Sequence, residues 1–124
     1  MRKQALLSIH PEHAEGILSG TKSFEFRKVA FRREIETVLI YATAPISKVI
    51  GSFEVETIIS AEPSAIWEQA SHSSGLTKER FDKYYTGKSV AHAIKVMNPK
   101  RFYRPKPLSA YVKSGTPPQS FCYV

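Results

Sequence analysis

The sequence predicts an α+β domain: a small mixed β-barrel of about five to six strands, flanked by two or three helices, read as one domain over residues 1–124. Three observations carry this. Apolar residues alternate with polar ones in several short segments, which is the strand period. Stretches that begin near a proline keep an apolar stripe at helical spacing. The strands are joined by long returns, with no Gly-rich nucleotide fingerprint and no P-loop, which favours a barrel over a doubly wound sheet.

The elements follow in chain order. "QALLSI" is a short strand. "PEHAEGILSG" is a helix: Pro11 suits its first position, Glu12 and Glu15 complement the dipole, and Ala14, Ile17 and Leu18 form its stripe. Gly20 is its stop. "GTKSFEFRK" alternates next, with Phe24 and Phe26 on one face and Ser23, Glu25 and Arg27 on the other. "VAFRREIE" is a basic connection. "TVLIYATAP" is a buried strand, with Leu39, Tyr41 and Thr43 opposite Val38, Ile40 and Ala42. "SKVIGSFEVETIIS" is a long strand in which Gly51 marks a bulge or close backbone approach, and its phase slips near Thr57 to Ile59.

"EPSAIWEQA" is a short helix anchored by Trp67, and "SHSSG" is a loop. Thr77 caps another helix, with Leu76 and Phe81 placed for a hydrophobic staple and Gly87 at its end. "SVAHAIKV" is a strand. "NPKRFYRPKPLS" is an edge strand or extended loop, and "TPPQSFCYV" holds a last short strand that leaves dimerisation open. There is no internal repeat, linker or low-complexity tract.

The formal net charge is +7 and the sequence pI is about 9.6. The last acid is Asp82; from Lys83 to Val124 there are eight Lys or Arg and no Asp or Glu. A second basic cluster is Arg27, Lys28, Arg32 and Arg33. This asymmetry favours a polyanionic partner, most simply nucleic acid. A solubilising basic surface gives the same composition. No basic segment has a matching amphipathic helix, and no stretch approaches the length of a membrane span, so no membrane partner is expected. The apolar run after Arg2 and Lys3 is only Ala5 to Leu7, too short for a signal peptide. The single cysteine, Cys122, excludes an intrachain disulfide and a Cys-rich zinc site, and suits a reducing cytosol. The expected location is cytoplasmic.

Gly20, Lys22, Glu25 and Arg27 form the pattern Gly-x-Lys-x-x-Glu-x-Arg after a strand and a Gly-terminated helix. With "VLIYATAP", "VIGSFEVE" and "GLTKERFDKYYTGKSVAHAIKV", this resembles the ASCH domain, a branch of the PUA-like superfamily, over nearly the whole chain. The tail "PPQSFCYV" is similar to the end of stand-alone prokaryotic members, some described as transcriptional regulators. The resemblance implies a PUA-like barrel whose cleft is lined by the Gly-Lys-Glu-Arg strand. It also implies RNA or a modified nucleoside as ligand. The implied site is Lys22, Ser23, Glu25, Arg27 and Lys28, with Tyr41 and Thr43 for stacking and a hydroxyl. Phosphates are expected to run over Lys28, Arg32, Arg33 and the C-terminal basic residues, among them Lys100, Arg101 and Arg104.

Glu25 and Arg27 lie on one face, about 7 Å apart along the strand. An Arg fork grips a phosphate or base edge, so Arg27 is expected to pair with Glu25 at a half-exposed position and turn its fork to the ligand. A purely structural pair closing the barrel edge is the competing reading. The run Lys100, Arg101, Phe102, Tyr103, Arg104 suits contact with a single strand; a solvated edge guarded by Pro105 and Pro107 explains it equally well.

His10 and His13 lack a third metal ligand, so no metal is expected, and His10 caps the helix or rims the cleft. No cofactor is expected either. His92 reads as a hydrogen-bonded core residue, Trp67 as core, and Cys122 as a small apolar residue.

The leading functional expectation is a binding module for RNA or a modified nucleoside. The rival is a hydrolase on RNA or an acylated nucleoside. One branch of the resembled family hydrolyses N4-acetylcytidine with Lys, Thr and Glu, and another is described as a ribonuclease. Here Lys22-x-x-Glu25 replaces Lys-x-x-Thr, so the hydroxyl is missing, and Glu68 does not align convincingly as a second acid. A hydrolase here uses Glu25 as base and Lys22 as electrophile. A protein-binding adaptor is a third class and explains the basic excess less well.

Overall fold

A computed structural model of the chain describes residues 3–124. The elements run β1 (Gln4–Ile9), α1 (Pro11–Ser19), β2 (Phe24–Arg27), β3 (Thr37–Ala42), β4 (Lys48–Ala61), α2 (Pro63–Ala70), α3 (Lys78–Tyr84), β5 (Ala91–Lys106) and β6 (Phe121–Tyr123). Short 3-10 turns lie at Ser71–Ser73 and Leu108–Ala110. The strands form one mixed sheet in the order β2-β5-β4-β3-β1-β6, curled into a half-barrel with the helices packed on it. This is the α+β mixed barrel expected from the sequence.

β1 and β3 pair in parallel, Leu7 beside Ile40 and Ile9 beside Ala42. A parallel pair needs a crossover, and α1, β2 and the basic connection supply it. Ala5, Leu7 and Ile9 of β1 and Val38, Ile40 and Ala42 of β3 face a core that α1 closes with Ala14 and Ile17. Opposite parity turns Leu6, Leu39 and Tyr41 to the other face, where Leu108 covers them. Both faces of β1 and β3 are therefore buried, which explains their continuous apolar runs.

α1 begins with Pro11 and ends at Gly20, whose φ of 87° is left-handed backbone that glycine adopts without strain. His10 stands at the N-cap but makes no side-chain cap bond. Thr77 does cap α3, accepting from the Arg80 N–H at 3.2 Å. Phe24 and Phe26 of β2 pack with Phe81 of α3, with Tyr85 just past its end, and with Ile66 of α2. The small Ala91 and Ala93 of β5 belong to the same cluster, leaving room for the rings. Ile66 is the buried anchor of α2, whereas Trp67 is only partly buried, its ring 5.0 Å from Phe81.

Two local readings change, and a third gains its register. "SVAHAIKV" and "NPKRFYRPK" are one strand, β5, because Asn98 takes a left-handed φ of 48° and the chain continues pairing with β4 as far as Lys106. "SHSSG" contains a 3-10 turn. The phase slip in β4 is a register shift between Val55 and Thr57.

Gly51 combines the two alternatives raised for it. The β4–β5 register shifts beside it, and a Cβ there meets the Lys100 carbonyl oxygen at 2.5 Å and Leu18 Cδ2 at 2.8 Å. Backbone cannot yield as a side-chain tip can. Gly51→Ala is expected to destabilise the fold by about 1–3 kcal/mol, the scale of overpacking. A urea melt with an unchanged midpoint refutes this close approach.

Candidate functional site

The half-barrel does not close by backbone pairing between its edge strands. β2 is one edge and β6 the other, with β1 beside β6. The seam between them is a cleft of about 690 Å³. Its walls come from β1 (Ser8, Ile9), the start of α1 (His10, His13), β2 (Glu25, Phe26, Arg27), α3 (Arg80, Lys83, Tyr84) and the tail before β6 (Gln119, Ser120). Lys22, Lys28, Val29 and Leu76 complete it. Among the described residues, five Lys or Arg line it against one carboxylate, Glu25.

Three charged residues of this wall are buried: Lys22 is 3% exposed, Glu25 6% and Arg27 8%. The Lys22 ammonium donates to the Ser74 carbonyl at 2.6 Å and lies 4.0 Å from Glu25. It also sits 5.0 Å from the centre of the Phe26 ring. An ammonium has three N–H donors, so two remain for a ligand. Burial is the main cause that lowers the Lys22 pKa; the Glu25 carboxylate opposes it.

Arg27 differs from its sequence reading. Its fork is not free. Nη1 donates to Glu25 Oε2 at 2.9 Å and to the Ser8 carbonyl at 3.5 Å. Nη2 donates to the Ser120 carbonyl at 3.0 Å and to Ser120 Oγ at 2.6 Å. Nε is buried without a partner among the described residues. The Ser8 N–H donates to the same Ser120 carbonyl at 3.0 Å. Arg27 is thus a strap that joins β2, β1 and the C-terminal tail across the seam. The Glu25–Arg27 pair is buried, not half exposed, because Ser8, Ser120 and Lys22 surround it; on the free edge of β2, Tyr84 and Tyr85 donate to the Phe26 and Arg27 carbonyls at 3.3 and 3.0 Å. Burial raises the Tyr85 phenol well above its ordinary range, so the hydroxyl stays a donor.

His13 is half-buried in the cleft, its Nε2 3.7 Å from Glu12 Oε1. Glu12 in turn accepts from Arg80 at 2.8 Å. Burial is the main cause lowering the His13 pKa, and the Lys22 charge adds to it. At neutral pH its imidazole is uncharged. His10 lies 6.4 Å away, ring centre to ring centre, on the rim. Among the described residues no group of three or more His, Cys, Asp or Glu is placed to hold a metal ion.

Of the residues singled out from sequence, Lys22, Glu25, Arg27 and Lys28 meet in the cleft. Ser23 does not line it; its N–H donates to the Ser73 carbonyl, and its carbonyl accepts from Val96. Tyr41 and Thr43 lie elsewhere. Ile40 and Ala42 face the α1 core, so parity sends Tyr41, 5% exposed, to the opposite apolar cluster, while Thr43 sits past the end of β3. Arg32 and Arg33 dock on Tyr123: the Arg32 N–H donates to its hydroxyl at 2.7 Å, and the Arg33 guanidinium lies 4.3 Å over its ring. Lys100, Arg101 and Arg104 are exposed on the far arm of β5, and Arg101 pairs there with Glu15. Glu68 is exposed on α2, outside the cleft.

Sequence reasoning missed Arg80, Lys83 and Tyr84, and also Gln119 and Ser120. One signal for the first group existed. Phe81 of α3 and Tyr85 at its C-cap, four apart, enter the core, which leaves Arg80 and Tyr84 on the adjoining face. No local signal places Ser120 beside Arg27.

The ASCH domain family model matches residues 7–105. The chain belongs to the ASCH domain family. An ASCH domain-containing ribonuclease of Zymomonas mobilis subsp. mobilis is 29% identical over 126 residues, spanning 99% of this chain and 85% of that protein. The crystal structure of ASCH from Zymomonas mobilis superposes with a TM-score of 0.91 at 29% identity, covering 100% of this chain and 89% of that one. Large ribosomal subunit protein uL22 of Ureaplasma parvum serovar 3 is 33% identical over 107 residues, 86% of this chain. The ASCH domain described here spans only 34% of that relative's length. Among its described residues no helix is long and apolar enough to cross a membrane.

Proposed function

We propose that the seam cleft of this ASCH domain binds RNA, seating one phosphate against the Lys22 ammonium, with Lys28 and Lys83 along the rim. The observation that carries this reading is the buried ammonium with two uncommitted N–H groups, in a cleft of five cations and one carboxylate. For so buried an ammonium a charge-assisted bond to a phosphate oxygen is strong. The relative named a ribonuclease supports RNA as the ligand class.

A second reading is RNA cleavage. His13 favours it: in this reading its imidazole takes the proton of a ribose 2′-hydroxyl as that oxygen bonds to the adjacent phosphorus, the bond from phosphorus to the 5′-oxygen breaks and that oxygen takes a proton from water, while Lys22 stabilises the negative charge that builds on the non-bridging phosphate oxygens.

Lys22→Met tests the binding reading. Methionine keeps the bulk and leaves Glu25 paired with Arg27. The folded-state pKa of Lys22 is lowered, so at neutral pH its charge costs stability, and that cost lifts only as pH rises towards the unfolded value near 10.5. Removing the charge offsets the unpaired Ser74 carbonyl, so the melting midpoint is expected to change little. RNA affinity is expected to fall roughly 10- to 100-fold, the scale of one hydrogen bond to a charged group. Unchanged affinity refutes the cleft as the site. Denaturing gels of the same wild-type mixtures separate binding alone from cleavage.

A further inference from the structure

The far arm of β5 carries a built feature that the cleft does not use. Val49 pairs with Lys106 and Gly51 with Arg101, so two steps along β4 face five along β5. Three extra residues are lifted from the ladder. Within this bulge Phe102 turns inwards against the Leu108 cluster, with the Lys106 ammonium 5.5 Å from its ring centre. Phe102 thereby anchors the bulge. Tyr103 turns outwards and is 96% exposed.

A shallow groove surrounds it, lined by Lys100, Phe102, Tyr103, Arg104 and Lys106. Arg101 is held by Glu15, whereas no ion pair engages Lys100, Arg104 or Lys106 among the described residues. No acid occurs between Lys48 and Phe53 of β4 or between Pro99 and Leu108. Pro99, Pro105 and Pro107 carry no N–H, so this edge is a poor template for an added peptide strand. What it offers is side chains: one bare aromatic face between cations. That chemistry fits a stack of base on ring with phosphates on either side.

We propose that the Tyr103 bulge is a stacking platform for one base of a single-stranded RNA, with Lys100 and Arg104 neutralising the flanking phosphates. The platform stands apart from the seam cleft and does not rest on the reading of that cleft. It selects strand type, since a base within a duplex has no free face.

The test is fluorescence anisotropy with a labelled oligouridine of roughly 12 nucleotides and a duplex RNA of the same length, within the usual site sizes. Tyr103→Ala is expected to weaken the single strand roughly 5- to 100-fold, the range for one lost stack. Its melting curve and its affinity for the duplex are expected to stay as in the native protein, and Tyr103→Phe to restore the single strand. An unchanged single-strand affinity overturns the platform, as does equal loss on strand and duplex, or failure of the native protein to bind the strand. If Lys22→Met binds normally while Tyr103→Ala does not, the cleft reading fails and the platform stands.

Discussion

Arg27→Ala is expected to lose about 3–5 kcal/mol of stability, because it breaks a buried ion pair from one side. The Glu25 carboxylate keeps only Lys22, 4.0 Å away. The Ser120 carbonyl and hydroxyl lose their guanidinium donor together. β6 is three residues long and, among the described residues, pairs only with β1, so it depends on this strap. Denaturant melts measure the loss. Hydrogen exchange at Phe121 to Tyr123 is expected to accelerate more than exchange in β3 or β4. Replacing Arg27 and Glu25 together by apolar residues recovers part of the loss, since the double change leaves no unpaired buried charge. If Arg27→Ala melts within about 1 kcal/mol of the native protein, the value of an exposed pair, the strap is not structural.

Phe26→Ala is expected to cost about 3–5 kcal/mol, as truncations of large core side chains do. That lowers the melting temperature by roughly 10–20 °C for a chain of this size. Phe26 is 5% exposed and meets the Phe81 ring edge-on, 5.2 Å between centres. Phe81 in turn packs on Trp67 and Tyr85, so the cavity opens between β2 and two helices. The same ring underlies the Lys22 ammonium. A second effect follows: RNA affinity of the folded fraction drops as well, because Lys22 loses its floor. A variant with a near-native melt shows that the site relaxes. A destabilised variant with full affinity shows that Phe26 serves the core alone.

The β2 strand shows how far local pattern reaches. Alternation in "SFEFR" placed two phenylalanines against two charges, and the phenylalanines are core. The expectation of a half-exposed Glu25–Arg27 pair with a fork free for a ligand was wrong, because all four residues of β2 are buried and the fork is spent on Glu25, Ser8 and Ser120. Nothing within five residues reports that Ser8 and Ser120 will close over the charged face. Phe26 also lines the cleft, so the division into a core face and a ligand face is not clean. Tyr41 fails for a related reason. Its parity was legible, but which face of β3 meets the cleft depends on the order of strands in the sheet, and Ile40 and Ala42 took the side under α1.

By itself the sequence determined the strand and helix segments, the Pro11 and Gly20 boundaries of α1, the Thr77 cap, the basic excess and the motif Gly20, Lys22, Glu25, Arg27. These are properties of near neighbours: dihedral preference, hydrophobic period and charge count. Only the tertiary structure decided that Arg27 spends its fork on Ser120, 93 residues away, that His13 and Arg80 share a cleft with Lys22, and that β5 lifts Tyr103 from its ladder. Those follow from sheet curvature and strand order, which bring distant groups together to satisfy buried donors and acceptors, and no local pattern encodes which distant group that will be.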